Sequence, residues 1–466
     1  MNILYWGENM GQLKSIFAKA GWSDYLKGAK AAASWIRSVE KEAEGGSFWV
    51  SHPERGDQEG QIDIYHGSAG ILLFFLQLAD ATGDPSYLED AKRGGDYILN
   101  RLGKYGYEYL SSSLGGPHYR EGTRWTFLSG GSAGVAFALT ELYKALHLEK
   151  YKDAAVRITD AVTAHAEKVE GGVLWSGKSG VNFDSGTILY LLYASKFFHR
   201  PDWKETAVQA GKAILTTGRK QEKGTKYVGF VNMVKAMAGI KDDSYHVPNF
   251  AYGTSGICYT FARLYQETGE KAFLDAAKEG AKYLTSIAHV ENGAALIPYR
   301  LPDLDTLYYL SNCHGVCGTA RLFYLLHEIT GEETYWEWTK MLAQGIIATG
   351  APELHSPGYW HCFSYCCGTA GFTDLFLGLW LKTGDKKYLE YARRTGEVML
   401  TEAHVEEGKA SWYQMFKRIV PDEVTQEAGF YSGAAGIGAA LIQLFLAKDQ
   451  KAPLLRFPDE PYLSRY

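Results

Sequence analysis

Residues 65–78 read YHGSAGILLFFLQL, and this stretch decides the fold. A short glycine-flanked motif opens a run of apolar residues whose spacing is typical of a buried helix. The motif recurs at intervals of roughly fifty to seventy residues, a length that suits a two-helix repeat. Seven copies, the third of them degenerate, are found at residues 67–70, 131–134, 183–186, 253–256, 315–318, 368–371 and 433–436.

Four of the apolar runs end in threonine, glycine and an acidic residue: Thr82–Asp84, Thr268–Glu270, Thr330–Glu332 and Thr383–Asp385. Glycine suits the left-handed position that ends a helix, and the acidic residue suits the start of the next helix. An amphipathic segment follows, for example Tyr388–Arg394. Each repeat is therefore predicted to be an inner helix, a tight turn and an outer helix. Seven such pairs predict an all-α fold, an α/α toroid.

The repeats occupy most of the 466 residues, so we predict a single toroid domain over residues 1–466. A helical segment over about residues 1–50 leads into the toroid, and a tail covers about residues 447–466. The net charge of -5 gives no electrostatic reason to expect a nucleic-acid partner. No stretch approaches the ~20 apolar residues of a transmembrane helix. Met1–Gly7 lacks the basic-then-apolar start of a secretory signal.

The six cysteines all lie in the second half of the chain, and the adjacent Cys366 and Cys367 are a poor disulfide pair. We therefore expect reduced thiols and a cytoplasmic protein. Cys313, Cys366 and Cys367 lie just before the first motif glycine of two neighbouring repeats. Because the inner helices begin on one face of a toroid, these three thiols should meet there. Three thiolates leave one tetrahedral position of a zinc ion (Zn²⁺) open for substrate. The alternative is that they are small, buried core residues.

Two histidines expected on the same face of the toroid are candidate catalytic groups. His314 follows Cys313 and could act as a fourth ligand, which would close the site, or as an acid/base group, which we favour. His66 precedes the first motif glycine of the first repeat and is either a catalytic group or a histidine that caps a neighbouring helix. The remaining cysteines are predicted to be core residues or non-ligands: Cys258, Cys317 and Cys362.

On these motifs the chain resembles the lanthionine synthetase C-like (LanC-like) family, which includes lantibiotic cyclases, along nearly its whole length. That family carries Trp-Cys-Tyr-Gly in one repeat, matched here by Asn312–Gly315, and Cys-His-Gly in the next, matched by Cys366–Gly368. The resemblance implies zinc ligation by Cys313, Cys366 and Cys367, with Cys367 in place of the usual histidine. It also implies Michael addition of a peptide cysteine to dehydroalanine or dehydrobutyrine, which forms a thioether.

The acid/base residues depart from the family pattern at four positions: Tyr252 for histidine, Tyr309 for arginine, His314 for tyrosine and Ser179 for aspartate. Tyr252 is itself kept as a candidate catalytic residue. We expect that Asp184, inside the degenerate third motif, could replace the aspartate. His246, in the loop before the fourth repeat, could replace the histidine. Further candidates for substrate contact are Arg124, Trp125 and His361.

The toroid leaves no region for a dehydratase, so we expect a separate dehydratase to prepare a dehydrated precursor peptide as substrate. Three alternatives stay open. The protein could add a small thiol such as glutathione to dehydroamino acids in another molecule. It could be a non-catalytic partner protein that binds zinc or thiols. It could also be a carbohydrate-active α/α toroid with paired carboxylates, for which only Asp184 is well placed.

Overall fold

The computed structural model describes residues 19–55, 60–107, 126–229, 245–451 and 455–462. Seven of the described helices form an inner ring: α2 (Ser68–Thr82), α4 (Ser132–Leu146), α6 (Asp184–Phe198), α8 (Thr254–Thr268), α10 (Val316–Thr330), α12 (Thr369–Thr383) and α14 (Ala434–Ala447). The outer layer contains α1 (Trp22–Ser38), α3 (Ser86–Tyr105), α5 (Glu149–Ala164), α7 (Pro201–Leu215), α9 (Lys271–Ile287), α11 (Glu333–Ala348) and α13 (Lys386–Thr401).

Each inner helix contacts the inner helices before and after it, and α14 contacts α2 to close the ring. Six inner helices pack on the outer helix that follows them in the chain. The seventh, α14, packs on α1, so a helix that precedes the first repeat completes the last pair. The predicted α/α toroid of seven helix pairs is confirmed. None of the described helices combines the length and apolar character needed to cross a bilayer.

The described strands form short pairs in the loops. The antiparallel pairs are β1 (Glu40–Ala43) with β2 (Gly46–Trp49), β3 (Glu167–Val169) with β4 (Gly172–Leu174), β5 (Arg219–Lys220) with β6 (Thr225–Lys226), β7 (His289–Glu291) with β8 (Ala294–Leu296), β11 (His404–Glu406) with β12 (Lys409–Ser411), and β13 (Tyr413–Met415) with β14 (Val424–Gln426). The pair β9 (Tyr308–Tyr309) and β10 (Tyr359–Trp360) is parallel. All of these described strands lie between an outer helix and the next inner helix, so they shape the loops that lead into the inner ring.

The threonine in the Thr-Gly-acidic motif has a structural role at the end of the inner helix. The Thr82 hydroxyl donates to the carbonyl of Leu78 (2.6 Å) and accepts from the N–H of Asp84 (3.2 Å). Gly83 has a φ of 70°, the left-handed conformation that favours glycine. The same arrangement ends the inner helices at Thr268, Thr330 and Thr383. The four predicted helix ends are confirmed.

Glycine in the repeated motif allows the loop before each inner helix to pack on the first turn of that helix. A Cβ on Gly318 would lie 1.9 Å from the carbonyl oxygen of Asn312, and one on Gly368 would lie 1.6 Å from that of Cys362. Both distances are far inside van der Waals contact, so glycine is required at these positions. The loops that carry Cys313 and Cys366 are thereby pressed against α10 and α12.

The C-terminal segment 455–462 runs inside the inner ring. Phe457 packs on Phe137 of α4, with 5.5 Å between ring centroids, and Tyr462 packs on Tyr324 of α10 at 5.0 Å. These two inner helices belong to the second and fifth repeats, so the segment contacts well-separated parts of the ring. The tail therefore packs within the centre of the toroid.

Candidate functional site

The loops that lead into successive inner helices are joined by backbone hydrogen bonds. The N–H of Ala251 donates to the carbonyl of Cys313 (2.8 Å), and that of Cys313 donates to Cys366 (3.3 Å). In the same way, the N–H of Cys366 donates to the carbonyl of Tyr431 (2.9 Å), and the N–H of Tyr431 donates to the carbonyl of Tyr65 (3.1 Å). Equivalent residues of the fourth to seventh and the first repeats are therefore held in register at one end of the toroid, which we call the rim.

Cys313, Cys366 and Cys367, the cysteine cluster, meet at this rim. The Cys313 and Cys367 sulfurs are 3.5 Å apart, and all three sulfurs lie within 4.8 Å of one another. Each side chain is buried, and none is in a disulfide. Three thiolates around one tetrahedral zinc, each about 2.3 Å from the ion, are separated by about 3.8 Å. The cluster therefore fits a zinc ion, and the predicted convergence of the three thiols is present.

The thiols of the cluster differ in their affinity for a proton. Burial acts to raise the pKa of Cys313, but hydrogen bonds from the other two thiols outweigh it and hold that pKa well below its usual value. The same hydrogen bonds raise the pKa values of Cys366 and Cys367, and burial adds to the rise. The chain itself therefore favours negative charge on Cys313, which is the protonation state that a metal ligand needs.

Hydrogen bonds behind the cluster fix its backbone. The hydroxyl of Ser364 accepts from the N–H of Cys367 (3.1 Å), and the N–H of Ser364 donates to the side-chain oxygen of Gln414 (3.0 Å). The three remaining cysteines are buried outside the cluster, and burial raises their pKa values: Cys258, Cys317 and Cys362. Their burial agrees with the prediction that these three cysteines are core residues or non-ligands.

His314 lies in an aromatic enclosure next to the cluster. Its ring stacks on Tyr252 (5.0 Å between centroids) and meets the rings of Tyr299 (5.3 Å) and Tyr309 (5.8 Å) edge to face. Its Nδ1 atom is buried without a hydrogen-bond partner among the described residues. Burial lowers the pKa of His314 and raises that of Tyr252, so both groups are neutral at pH 7. The Tyr252 hydroxyl also accepts from the amide of Asn182 (3.2 Å).

Arg418 reaches the same enclosure from the loop between β13 and β14, and sequence reasoning missed it. Its Nε donates to the hydroxyl of Tyr309 at 2.9 Å. The guanidinium of Arg418 therefore lies beside Tyr309, the position at which the family resemblance implies arginine. The two residues are 109 positions apart, and no local motif marks Arg418.

The predicted candidate His66 lies beside two further groups that sequence reasoning missed, His52 and Glu427. The Nδ1 atom of His66 is 3.0 Å from the hydroxyl of Ser432 and 3.5 Å from Oε2 of Glu427. The Nδ1 atom of His52 is 3.5 Å from Oε1 of the same carboxylate. We call His52, His66 and Glu427 the histidine–glutamate cluster.

Asp184 and His246 are placed in other parts of the repeats. Asp184 accepts from the hydroxyl of Ser176 (2.7 Å) and from the N–H of Gly177 (3.1 Å), and burial raises its pKa. A ring nitrogen of His246 lies 2.6 Å from the hydroxyl of Tyr283, on the outer helix α9. Asp184 therefore holds a loop of the third repeat, and His246 contacts the outer layer of helices.

The remaining candidates for substrate contact do not add to the site. His361 is buried against His355, with ring centroids 4.1 Å apart, and burial lowers its pKa to about 3. Arg124 and Trp125 lie outside the described residues.

A family profile described as "Lanthionine synthetase C-like protein" matches residues 58–457. The chain belongs to this family. Among solved structures, nisin cyclase is similar, with 14% identity, a TM-score of 0.61, and coverage of 92% of this chain and 95% of that one. A structure named "UGL_D88N/dGlcA-Glc-Rha-Glc" has 13% identity and a TM-score of 0.50, over 76% of this chain and 94% of that one. At such identities the likeness shows the fold alone. This LanC-like protein therefore shares the toroid with nisin cyclase.

Proposed function

We propose that this LanC-like protein is a zinc-dependent cyclase that adds a cysteine thiol to dehydroalanine or dehydrobutyrine in a dehydrated precursor peptide. The observation that carries the proposal is the convergence of three buried thiols at the rim of a LanC-like toroid. Cys313, Cys366 and Cys367 would hold the zinc. When bound, zinc acts as a Lewis acid that lowers the pKa of a substrate thiol.

The chain's own residues must move one proton in this reaction. The substrate sulfur forms a bond to the β-carbon of the dehydroamino acid, and the electron pair of the carbon–carbon double bond moves towards the carbonyl as an enolate. The enolate then takes a proton at the α-carbon. We propose that Nδ1 of His314, buried without a partner next to Cys313, takes the thiol proton and returns it to the α-carbon.

The enolate oxygen needs a positive or hydrogen-bonding group in the transition state. Arg418 and the Tyr309 hydroxyl to which it donates are the groups we propose for this role. A guanidinium keeps its charge throughout the reaction and can donate to the oxygen while it stays bonded to Tyr309. Tyr252, stacked on His314, would hold the imidazole in place.

The proposed substrate requires a separate dehydratase, and the proposed location is the reducing cytoplasm because the cysteines are free thiols. The carbohydrate-active alternative needs two carboxylates facing one substrate. Asp184 and Glu427 belong to different repeats, and each carboxylate contacts its own set of partners. That arrangement favours thiol chemistry at this rim.

The test is turnover of a dehydrated peptide with one cysteine, followed by alkylation and mass spectrometry. Ring closure leaves the mass unchanged and removes the alkylatable thiol. A second reaction contains glutathione and a dehydrated peptide without cysteine, and a mass gain of one glutathione would indicate intermolecular addition. The Cys366→Ala/Cys367→Ala variant should lose the zinc of the cysteine cluster and activity together.

A His314→Ala variant should keep its zinc and lose turnover, whereas the control His404→Ala, in the hairpin β11–β12, should keep both. Zinc retained by the wild-type protein without turnover in either reaction would contradict catalysis. That result would favour a zinc- or thiol-binding partner protein. The absence of zinc from the wild-type protein would overturn the proposed mechanism.

A further inference from the structure

The histidine–glutamate cluster lies where the seventh repeat meets the first. The carbonyl of Ser51 accepts from the N–H of Ala428 (3.1 Å), and the hydroxyl of Ser51 donates to the carbonyl of His66 (2.8 Å). Each cluster residue is therefore at, or next to, a residue in this network. Segments from the first and the last repeat are thus held together by the hydrogen bonds of the fold itself.

The donor atoms of the cluster have the spacing of ligands around one ion. One atom from each residue lies within 4.8 Å of the other two, and each imidazole Nδ1 is 3.5 Å from a different oxygen of Glu427. Charge-assisted N–H···O hydrogen bonds are shorter, at about 2.7–2.9 Å. Two donors that each lie about 2.1 Å from a tetrahedral ion are about 3.4 Å apart.

Among the described residues, the carboxylate of the cluster has the two imidazoles as its ion-pair partners, each at 3.5 Å. Glu427 is 3% exposed, and among the described residues its Oε2 has no hydrogen-bond partner. Its Oε1 receives a long bond, 3.4 Å, from the hydroxyl of Thr425. A buried carboxylate is costly unless a positive group compensates it. The side chains of His52 and His66 are 9% and 12% exposed, so the whole cluster is shielded from water.

We propose that His52, His66 and Glu427 bind a divalent transition-metal ion of the zinc class, which clamps the seam between the last and first repeats. Two imidazoles and one carboxylate form a borderline donor set that binds zinc and leaves one position open. The site has nitrogen and oxygen donors and no sulfur, so it is chemically distinct from the cysteine cluster.

Cobalt(II) titration of the metal-free full-length protein tests this site. Thiolate ligands give cobalt an intense charge-transfer band in the near ultraviolet, and nitrogen and oxygen ligands do not. We expect two cobalt ions per chain by elemental analysis, whereas the charge-transfer band reports only the ion at the cysteine cluster. The Glu427→Gln and His52→Ala variants should bind one ion with the band unchanged.

Two controls make the stoichiometry specific. Glu423→Gln removes a nearby carboxylate that pairs with Arg55, and this variant should still bind two ions. Cys366→Ala/Cys367→Ala should bind one ion without the band. One cobalt ion in the wild-type protein, or two in Glu427→Gln, would overturn the proposal. An unchanged band in a variant also shows that its rim is folded.

A stability measurement covers the case in which the Glu427 variant does not fold. In the Cys366→Ala/Cys367→Ala background, only the histidine–glutamate cluster remains to bind metal. Cobalt should then raise the thermal midpoint in proportion to the logarithm of its concentration, because an ion that binds only the folded state stabilises it. A midpoint that does not respond to cobalt would contradict the clamp, whatever the outcome for zinc at the cysteine cluster.

Discussion

Arg418 donates a hydrogen bond to the hydroxyl of Tyr309, with 2.9 Å between Nε and the oxygen. Tyr309 also meets the ring of His314 edge to face, at 5.8 Å between centroids. A charged donor from a distant hairpin thus reaches the enclosure beside the cysteine cluster. The position matters because the family resemblance implies arginine where this chain has Tyr309.

Arg418→Gln should reduce thiol addition by about a hundredfold, since removal of one donor to a developing oxyanion commonly costs 10²–10³ in rate. Zinc content should not change, because the guanidinium is not a metal ligand. The matched control is Lys417→Gln, which removes the adjacent exposed charge that pairs with Glu423. Single-turnover rates measured with saturating peptide separate the effect on rate from an effect on binding. A wild-type rate in Arg418→Gln would remove the residue from the mechanism.

The third cysteine of the cluster can be tested by exchange for the family's usual residue. Cys367→His should retain about one zinc at the cysteine cluster, because imidazole is an ordinary zinc ligand at the same position. Cys367→Ala should lose most of that zinc, because it leaves two thiolates. Elemental analysis after dialysis against a mild chelator measures both variants. Equal zinc in the alanine variant and the wild-type protein would show that Cys367 is not a ligand.

The same pair of variants tests the effect of charge on reactivity. Three thiolates place more negative charge around zinc than two thiolates and an imidazole, so a bound substrate thiolate should be more nucleophilic in the wild-type protein. We therefore expect Cys367→His to react more slowly at equal zinc occupancy. A rate equal to or above that of the wild type would contradict this electronic role.

The repeat pattern predicts the toroid because each copy contains its own local signals. Thr82, Gly83 and Asp84 form their hydrogen bonds within a few residues, so their roles can be read from sequence. The cysteine cluster could also be predicted, because the thiols of neighbouring repeats occupy nearly equivalent positions. Local sequence thus carries both the helix ends and the approximate register of the rim.

The parts that could not be predicted depend on contacts between distant segments. Glu427 contacts His52 and His66 only because the last repeat closes onto the first. Helix α1 lies outside the repeat pattern, yet it packs on α14. The prediction that His246 takes the place of the family histidine depends on loop position alone. In the fold, a ring nitrogen of His246 lies within hydrogen-bond distance of the hydroxyl of Tyr283, on an outer helix. Loop position does not determine the direction in which a side chain points.

The stability of the toroid should depend on pH through Asp374 on α12. Burial raises its pKa from 3.8 to about 6, although the Tyr365 hydroxyl and the charge of Arg321 oppose the rise, and the nearby Asp459 adds to it. The side chain of Gln443 also faces this carboxyl and favours its ionised form. Below pH 3.8 the carboxyl is protonated in both the folded and unfolded states, and its contribution to stability is fully present. As the pH rises through about 6, that contribution is lost.

We therefore expect the free energy of unfolding of the wild-type protein to fall between pH 5 and pH 7.5 by about 1.4 kcal/mol more than that of Asp374→Asn. Urea denaturation of both proteins at the two pH values measures this difference, in which titrations that are independent of Asp374 cancel. The exception is Glu460, because burial and then the charge of Asp374 raise its pKa to about 7. A parallel pH dependence of the two proteins would show that Asp374 does not titrate in this range.

The buried ion pair between Arg321 and Asp459 should hold the C-terminal segment inside the ring. Nη1 of Arg321, on α10, lies 3.0 Å from Oδ2 of Asp459, and the two residues are 3% and 6% exposed. Asp459→Leu leaves the guanidinium buried without its partner and should lower the free energy of unfolding by about 3–5 kcal/mol. The double variant Arg321→Met/Asp459→Leu should cost less than either single substitution, since no uncompensated charge remains.

A double-mutant cycle in urea measures this coupling. Lys340→Met, which breaks the exposed pair with Glu337 on α11, serves as the control and should change stability by less than about 1 kcal/mol. Additive effects of the two single substitutions would show that Arg321 and Asp459 are independent in solution. Because Phe457 and Tyr462 flank the pair and pack on α4 and α10, we expect the loss of the pair also to expose the inner ring to protease. Cleavage within 455–462 in Asp459→Leu, but not in Lys340→Met, would connect the ion pair directly to the position of the tail.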